Sequence, residues 1–138
     1  MTRYYDWQTK LREFIESRTF SPFAFGVNDC CLFACDAIAA ITGVDMAAEI
    51  RGYTTEAEAD AVLAQWGGVE GVAAAMCEKH GAPEIPPAFA QRGDVVLCHL
   101  VTGDTLTIVD TGGRLVGPGK DGLVTVPRKT MRRAWRIG

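Results

Sequence analysis

Seven side chains in this 138-residue sequence can act as soft nucleophiles or as acid–base groups near neutral pH: Cys30, Cys31, Cys35, Cys77, Cys98, His80 and His99. Cys30 stands apart by its place in the pattern. Asn28 and Asp29 are capping residues, the run Cys30 to Thr42 is apolar nearly all round, and Gly43 can stop it. The spacing predicts a core helix whose first turn carries the Cys30 sulfur, where unpaired N–H groups and the positive dipole end favour a thiolate. Position alone makes no nucleophile, because cysteine is also among the most buried residue types. The five cysteines are an odd count without framework spacing, and Cys35 and Cys98 sit in apolar surroundings. They read as reduced, mostly buried thiols and not as a disulfide scaffold.

Other constellations are weaker. His80 ends a predicted helix, where its positive form would suit the negative dipole end. Cys77 and His80, one turn apart, could join Cys30 or Cys31 around zinc, yet no second close-spaced ligand pair accompanies them. Glu56, Glu58 and Asp60 read as a solvated face and not as paired glycosidase carboxylates. Asp29 reads as a helix cap that shapes the turn before Cys30. Trp66 and Trp135 read as packing residues.

The elements that must position these groups follow from periodicity. A first helix spans Asp6 to Arg18, with Trp7, Leu11, Phe14 and Ile15 on one face and Asp6 as cap. Pro22 and Gly26 break the following stretch into a loop. After the Cys30 helix come a helix from about Thr55 to Trp66, with a Thr55–Glu58 capping box, and another from about Val69 to Lys79. The segment PEIPP reads as a stiff connector. Beyond residue 92 the period shortens to that of strands: GDVVLCHL, TLTIVD, RLVGP, LVTVP and RRAWRIG, split by turn signals at Thr102-Gly103-Asp104, Thr111-Gly112-Gly113 and Gly119-Lys120-Asp121. Helices over about 1–82 and an antiparallel sheet of about five strands over about 92–138 form one α+β domain, 1–138.

Composition excludes several classes. The length suits one core, and no stretch approaches the ~20 apolar residues of a membrane span. The amphipathic start MTRYYDWQTKLREF predicts no secretory signal. The net charge of −3 divides unevenly: residues 1–90 carry 6 basic and 13 acidic side chains, residues 91–138 carry 8 and 4. Arg128, Lys129, Arg132, Arg133 and Arg136 cluster at the end, a docking surface for an acidic partner or, more simply, a solvated strand face. The acidic balance, with no helix-turn-helix or zinc-finger spacing, argues against nucleic acid as a partner.

The string PFAFGVNDCCLFACDAI resembles the nucleophile segment of NlpC-like cell-wall cysteine peptidases, in which an aromatic-Gly pair precedes an Asp-Cys step and a hydrophobic helix. Phe25-Gly26, Asp29-Cys30 and Phe33 carry the likeness. Arg92-Gly93-Asp94-Val95-Val96 is similar to that family's Pro-Gly-Asp-Leu-Val start of the first strand, and Leu106-Thr107-Ile108-Val109 to its second strand. The order holds over roughly residues 20–118. Arg133-Ala134-Trp135-Arg136 matches the ending of short peptidase-like proteins encoded beside tail genes of phages and gene-transfer particles. The resemblance implies a papain-like fold, Cys30 as nucleophile, and hydrolysis of peptidoglycan stem-peptide amide bonds without metal or organic cofactor. It further implies a place in a virion tail among tail-tip or hub proteins.

The family's base is a histidine at the start of the second strand. Here Thr105 stands there, Cys31-Leu32 replaces the usual Ser-Gly, and no third polar group appears near Val116-Gly117. His99 is the local alternative base. An even hairpin loop, such as Gly103-Asp104, pairs Leu100 with Thr107, sets Cys98 on the face of Thr105 and turns His99 away from it; an odd loop or a bulge reverses this. Two expectations follow. One is a cysteine peptidase using Cys30 and His99, with Asp29 holding the turn. The other is a catalytically degenerate structural component of a tail tip.

Overall fold

The computed structural model describes residues 1–138. Four helices come first: α1 (Trp7–Arg18), α2 (Cys30–Thr42), α3 (Glu56–Ala64) and α4 (Gly68–Lys79). Six strands follow: β1 (Glu84–Ile85), β2 (Val95–Leu100), β3 (Gly103–Val109), β4 (Leu115–Gly119), β5 (Gly122–Val126) and β6 (Met131–Trp135). They form one antiparallel sheet in the order β1-β6-β2-β3-β4-β5, so the architecture is α+β with helices before sheet.

Helix α2 is the centre of the core. The Asp29 carboxylate accepts the Leu32 N–H at 2.9 Å, and Gly43, at φ 79°, sends its N–H back to the Ala39 carbonyl to end the helix. Between these caps Cys31 to Cys35, Ala37, Ile38 and Ile41 are all buried. Helix α1 lays Leu11 and Ile15 into the same core, and its Phe14 ring sits 5.3 Å from Phe33. Burying so apolar a helix on all sides is the main return on folding this chain, at about 25 cal/mol per Å² of apolar surface.

The sheet alternates as strands must. Val95, Leu97, Leu106, Ile108, Val116 and Trp135 meet the helices, while Val96, Cys98, Val109, Leu115, Val126 and Ala134 form a second, smaller core on the other side. The segment Arg92-Gly93-Asp94 ties the two chain ends together. Asp94, fully buried, accepts from the N–H groups of Gln91 (2.9 Å) and Ile137 (3.0 Å) and from the Arg3 guanidinium (2.9 Å). Arg3 also donates to the carbonyls of Ile137 and Arg92.

Three expectations change. The sheet has six strands instead of about five, because Glu84–Ile85 of the connector PEIPP pairs with Trp135 and Ala134; prolines flank this two-residue edge strand without interrupting it. The β2–β3 turn is Val101-Thr102, not Gly103-Asp104, so Leu100 pairs with Gly103 and not with Thr107. Asp6 occupies the cap position of α1 but its side chain makes no cap bond, lying instead 3.9 Å from Lys10. In the basic C-terminal cluster, Arg133 is tied to Glu84 (2.7 and 2.9 Å) and Glu70 (3.1 Å), and Arg132 lies 3.7 Å from Glu70. Two of the five basic residues, Arg132 and Arg133, are therefore balanced by the acidic half of the chain. No helix is long and apolar enough to cross a membrane.

Candidate functional site

The loop before α2 is shaped by one glycine. Gly26 has φ +78°, and a Cβ there would overlap the Tyr53 carbonyl oxygen. Only glycine allows the loop to press on the backbone at Tyr53 while its own N–H reaches the Asp29 carboxylate at 3.0 Å. This is the physical content of the Phe25-Gly26 and Asp29-Cys30 pattern: a tight turn whose carboxylate caps the helix and whose next residue is the helix start.

Cys30 is half-buried and opens on a cleft of about 330 Å³. Phe23 and Phe25, packed edge to face at 4.9 Å, form one wall with Leu63 and Val69. Asp29, Tyr53, Asp60, Thr102, Asp104 and Thr105 supply the polar lining, which contains no basic side chain. Beneath the sulfur the sheet splits. Strands β3 and β4 pair only at Ile108–Val116 and Val109–Leu115. The Asp110 N–H bonds to Arg114 while the Val109 N–H bonds to Asp94, so alternation turns the Leu106 N–H toward the side that β4 has left.

Several groups set the state of this thiol. The Cys31 thiol as a donor holds the Cys30 pKa below the ordinary thiol value; burial opposes this, the Leu106 N–H reinforces it, and the neighbouring Asp29 charge works against it. The adjoining Cys31 is pushed the other way, well up, because it is the donor and is buried. Burial also raises Cys35 and Cys77 to about 12 and raises Cys98. Among the five free thiols, only Cys30 combines access with a favoured thiolate.

His99 and Asp104 are register partners on β2 and β3, and the Nδ1 of His99 lies 2.8 Å from Oδ1 of Asp104. Alternation with Leu97 and Leu106 puts this pair on the face that meets α2, whereas Thr105 shares the face of Cys98, directly opposite it. The position that looks toward Cys30 from β3 is thus Asp104. Asp104 lines the cleft; His99, 63% exposed, stands beyond it on the next strand and is not among the lining residues. With Nδ1 committed to the carboxylate, Nε2 of His99 is free. The structure therefore brings Cys30, Asp29 and Asp104 to one cleft and leaves His99 at its outer edge, joined through Asp104.

Three contributors escaped the sequence reading. Asp104 was legible: Leu106 and Ile108 alternate with Thr105 and Thr107, so residue 104 shares the core-facing side. Tyr53 and Asp60 carried no signal, since they reach the cleft from separate segments. No three His, Cys, Asp or Glu side chains gather as metal ligands, and the Cys77–His80 pair is not joined by Cys30 or Cys31. A larger groove of about 480 Å³ lies between α4 and the β1–β6 edge, but its Arg133 is fully engaged by Glu70 and Glu84 and its Cys77 is buried.

No curated protein matches this chain. A family model does, over residues 2–137, and the chain belongs to that family, DUF6950, a domain of unknown function.

Proposed function

We propose that this protein is a thiol-dependent amide hydrolase of papain-like, NlpC-type design that cuts peptidoglycan stem peptides from a phage tail tip. The observation that carries the proposal is Cys30, the one thiol of the five that is not buried, placed at a helix start over a cleft. In this reading the Cys30 thiolate attacks a peptide carbonyl carbon. The negative charge moves to the carbonyl oxygen, held by N–H groups of the helix start. The carbon–nitrogen bond then breaks, and the leaving amine takes a proton from the Asp104–His99 pair at the open end of the cleft. Water attacks the resulting thioester, giving one proton back to that pair, and the carbon–sulfur bond breaks to release the free acid and restore the Cys30 thiolate. Asp29 shapes the turn and caps the helix throughout.

Zymography on purified peptidoglycan, with amine release measured in parallel, tests this. Wild type should clear the gel, Cys30→Ala should not, and His99→Ala should lose about 10²-fold or more. Equal behaviour of wild type and Cys30→Ala would sink the hydrolase. The second reading, a catalytically silent component contacting tail-tip or hub proteins, draws on the exposure of His99 and its separation from Cys30 by Asp104.

A further inference from the structure

Asp29 accepts more hydrogen bonds than a helix cap requires. Capping needs one contact, and the Leu32 N–H supplies it to Oδ1 at 2.9 Å. Oδ2 takes two more, from the Gly26 N–H at 3.0 Å and from the Tyr53 hydroxyl at 2.5 Å. Tyr53 comes from the loop between α2 and α3, is 5% exposed, and lines the same cleft as Cys30. A ring buried for packing alone would be served by phenylalanine; the short bond to a buried carboxylate gives the hydroxyl a task of its own. A carboxylate one residue from a nucleophilic sulfur is a like charge and opposes the thiolate. A strong O–H···O⁻ bond draws off part of that charge and fixes the carboxylate in place.

We propose that Tyr53 is a positioning residue for Cys30 that acts through Asp29, locking the capping carboxylate and shielding the thiolate from its charge. The inference rests on the reading of Cys30 as nucleophile. Burial and, after it, the Asp29 bond raise the Tyr53 pKa, so the hydroxyl remains a donor across the working pH range. The other ionisable groups around the sulfur are Cys31 on α2, Asp60 on α3 and Asp104 on β3; α4 and the loop before α2 present only Val69, Phe23 and Phe25. Of the carboxylates, Asp29 alone is bonded to Tyr53.

The test is the pH profile of iodoacetamide alkylation at Cys30, located by peptide mass spectrometry, in wild type, Tyr53→Phe, Asp29→Asn and the double variant. Tyr53→Phe should move the midpoint up by about 0.5–1 in pH, which slows alkylation ~3–10-fold at pH below both midpoints. In the Asp29→Asn background, where the cap persists without its charge, the same change should move nothing. An unmoved midpoint in Tyr53→Phe, or an equal shift in both backgrounds, overturns the inference. A wild-type midpoint at or above the free-thiol value of ~8.5 instead overturns the reading of Cys30 as an activated nucleophile. Should Tyr53→Phe fail to fold, wild type grown with 3-fluorotyrosine asks the same question. Its more acidic hydroxyl should lower the midpoint, and a midpoint unchanged or raised overturns the inference.

Discussion

Replacing Gly26 by alanine separates two costs that a glycine in a turn can hide. The first is conformational: at φ +78° a Cβ costs roughly 1–2 kcal/mol in the left-handed region. The second is steric and belongs to this site, because the added carbon would overlap the Tyr53 carbonyl oxygen, which is backbone and cannot swing aside. Relief requires the loop to lift, which breaks the Gly26 N–H bond to the Asp29 carboxylate. A hydrogen bond to a charged group contributes about 1.5–3 kcal/mol. Together the change should cost about 3–5 kcal/mol, a large part of the ~5–15 kcal/mol that holds a domain of this size. Gly81 is the internal control: its φ is +71°, but nothing lies within 4 Å of its added Cβ, so Gly81→Ala should show only the conformational cost. Urea denaturation of the two variants gives the comparison, with the midpoint of Gly26→Ala lower by about 2 M at the usual slope. Equal losses in the two variants would refute the close-approach argument and with it the account of why the Phe25-Gly26 pair precedes Asp29-Cys30.

Two further predictions concern the frame around the site. Asp94→Ala strands the half-buried Arg3 guanidinium and two backbone N–H groups, and should cost about 3–5 kcal/mol by denaturant titration; Asp94→Asn, which keeps an acceptor oxygen, should cost less. Cys35 and Cys77, raised to about 12 mainly by burial, make the fold sensitive to alkali. A folded pKa above the unfolded value means stability that is complete below pH ~8.5 and lost as pH climbs toward 12, at ~1.4 kcal/mol per pH for each thiol. Urea midpoints measured from pH 7 to 11 should fall along such a slope, and Cys77→Val should flatten it; an unchanged slope would refute the burial argument for that thiol.

The local signals were strong where one segment supplied all the partners. Asp29, Cys30 to Thr42 and Gly43 contain their own cap, apolar face and stop, and α2 runs between them as the pattern predicts. The Thr55–Glu58 box likewise sits at the start of α3. The β2–β3 loop is even, as the simpler reading held, but its place was misjudged by two residues because Gly103 enters the strand and Val101-Thr102 make the turn. The two-residue strand Glu84–Ile85 was hidden, since its pairing partner lies fifty residues away in β6 and two flanking prolines mask it.

Sequence by itself determined the α+β order, the helix that starts at Cys30, and the field its first turn imposes on that sulfur, because capping, apolar periodicity and the helix dipole are properties of contiguous residues. Most of what surrounds the thiol was decided only in three dimensions. Strand parity sets Asp104 on the face that meets α2 and Thr105 on the face of Cys98, the split between β3 and β4 frees the Leu106 N–H, and a distant loop brings the Tyr53 hydroxyl onto Asp29. The first two depend on the register of neighbouring strands, where a shift of a single residue turns a side chain to the opposite face, and the third on a contact between separate segments of the chain.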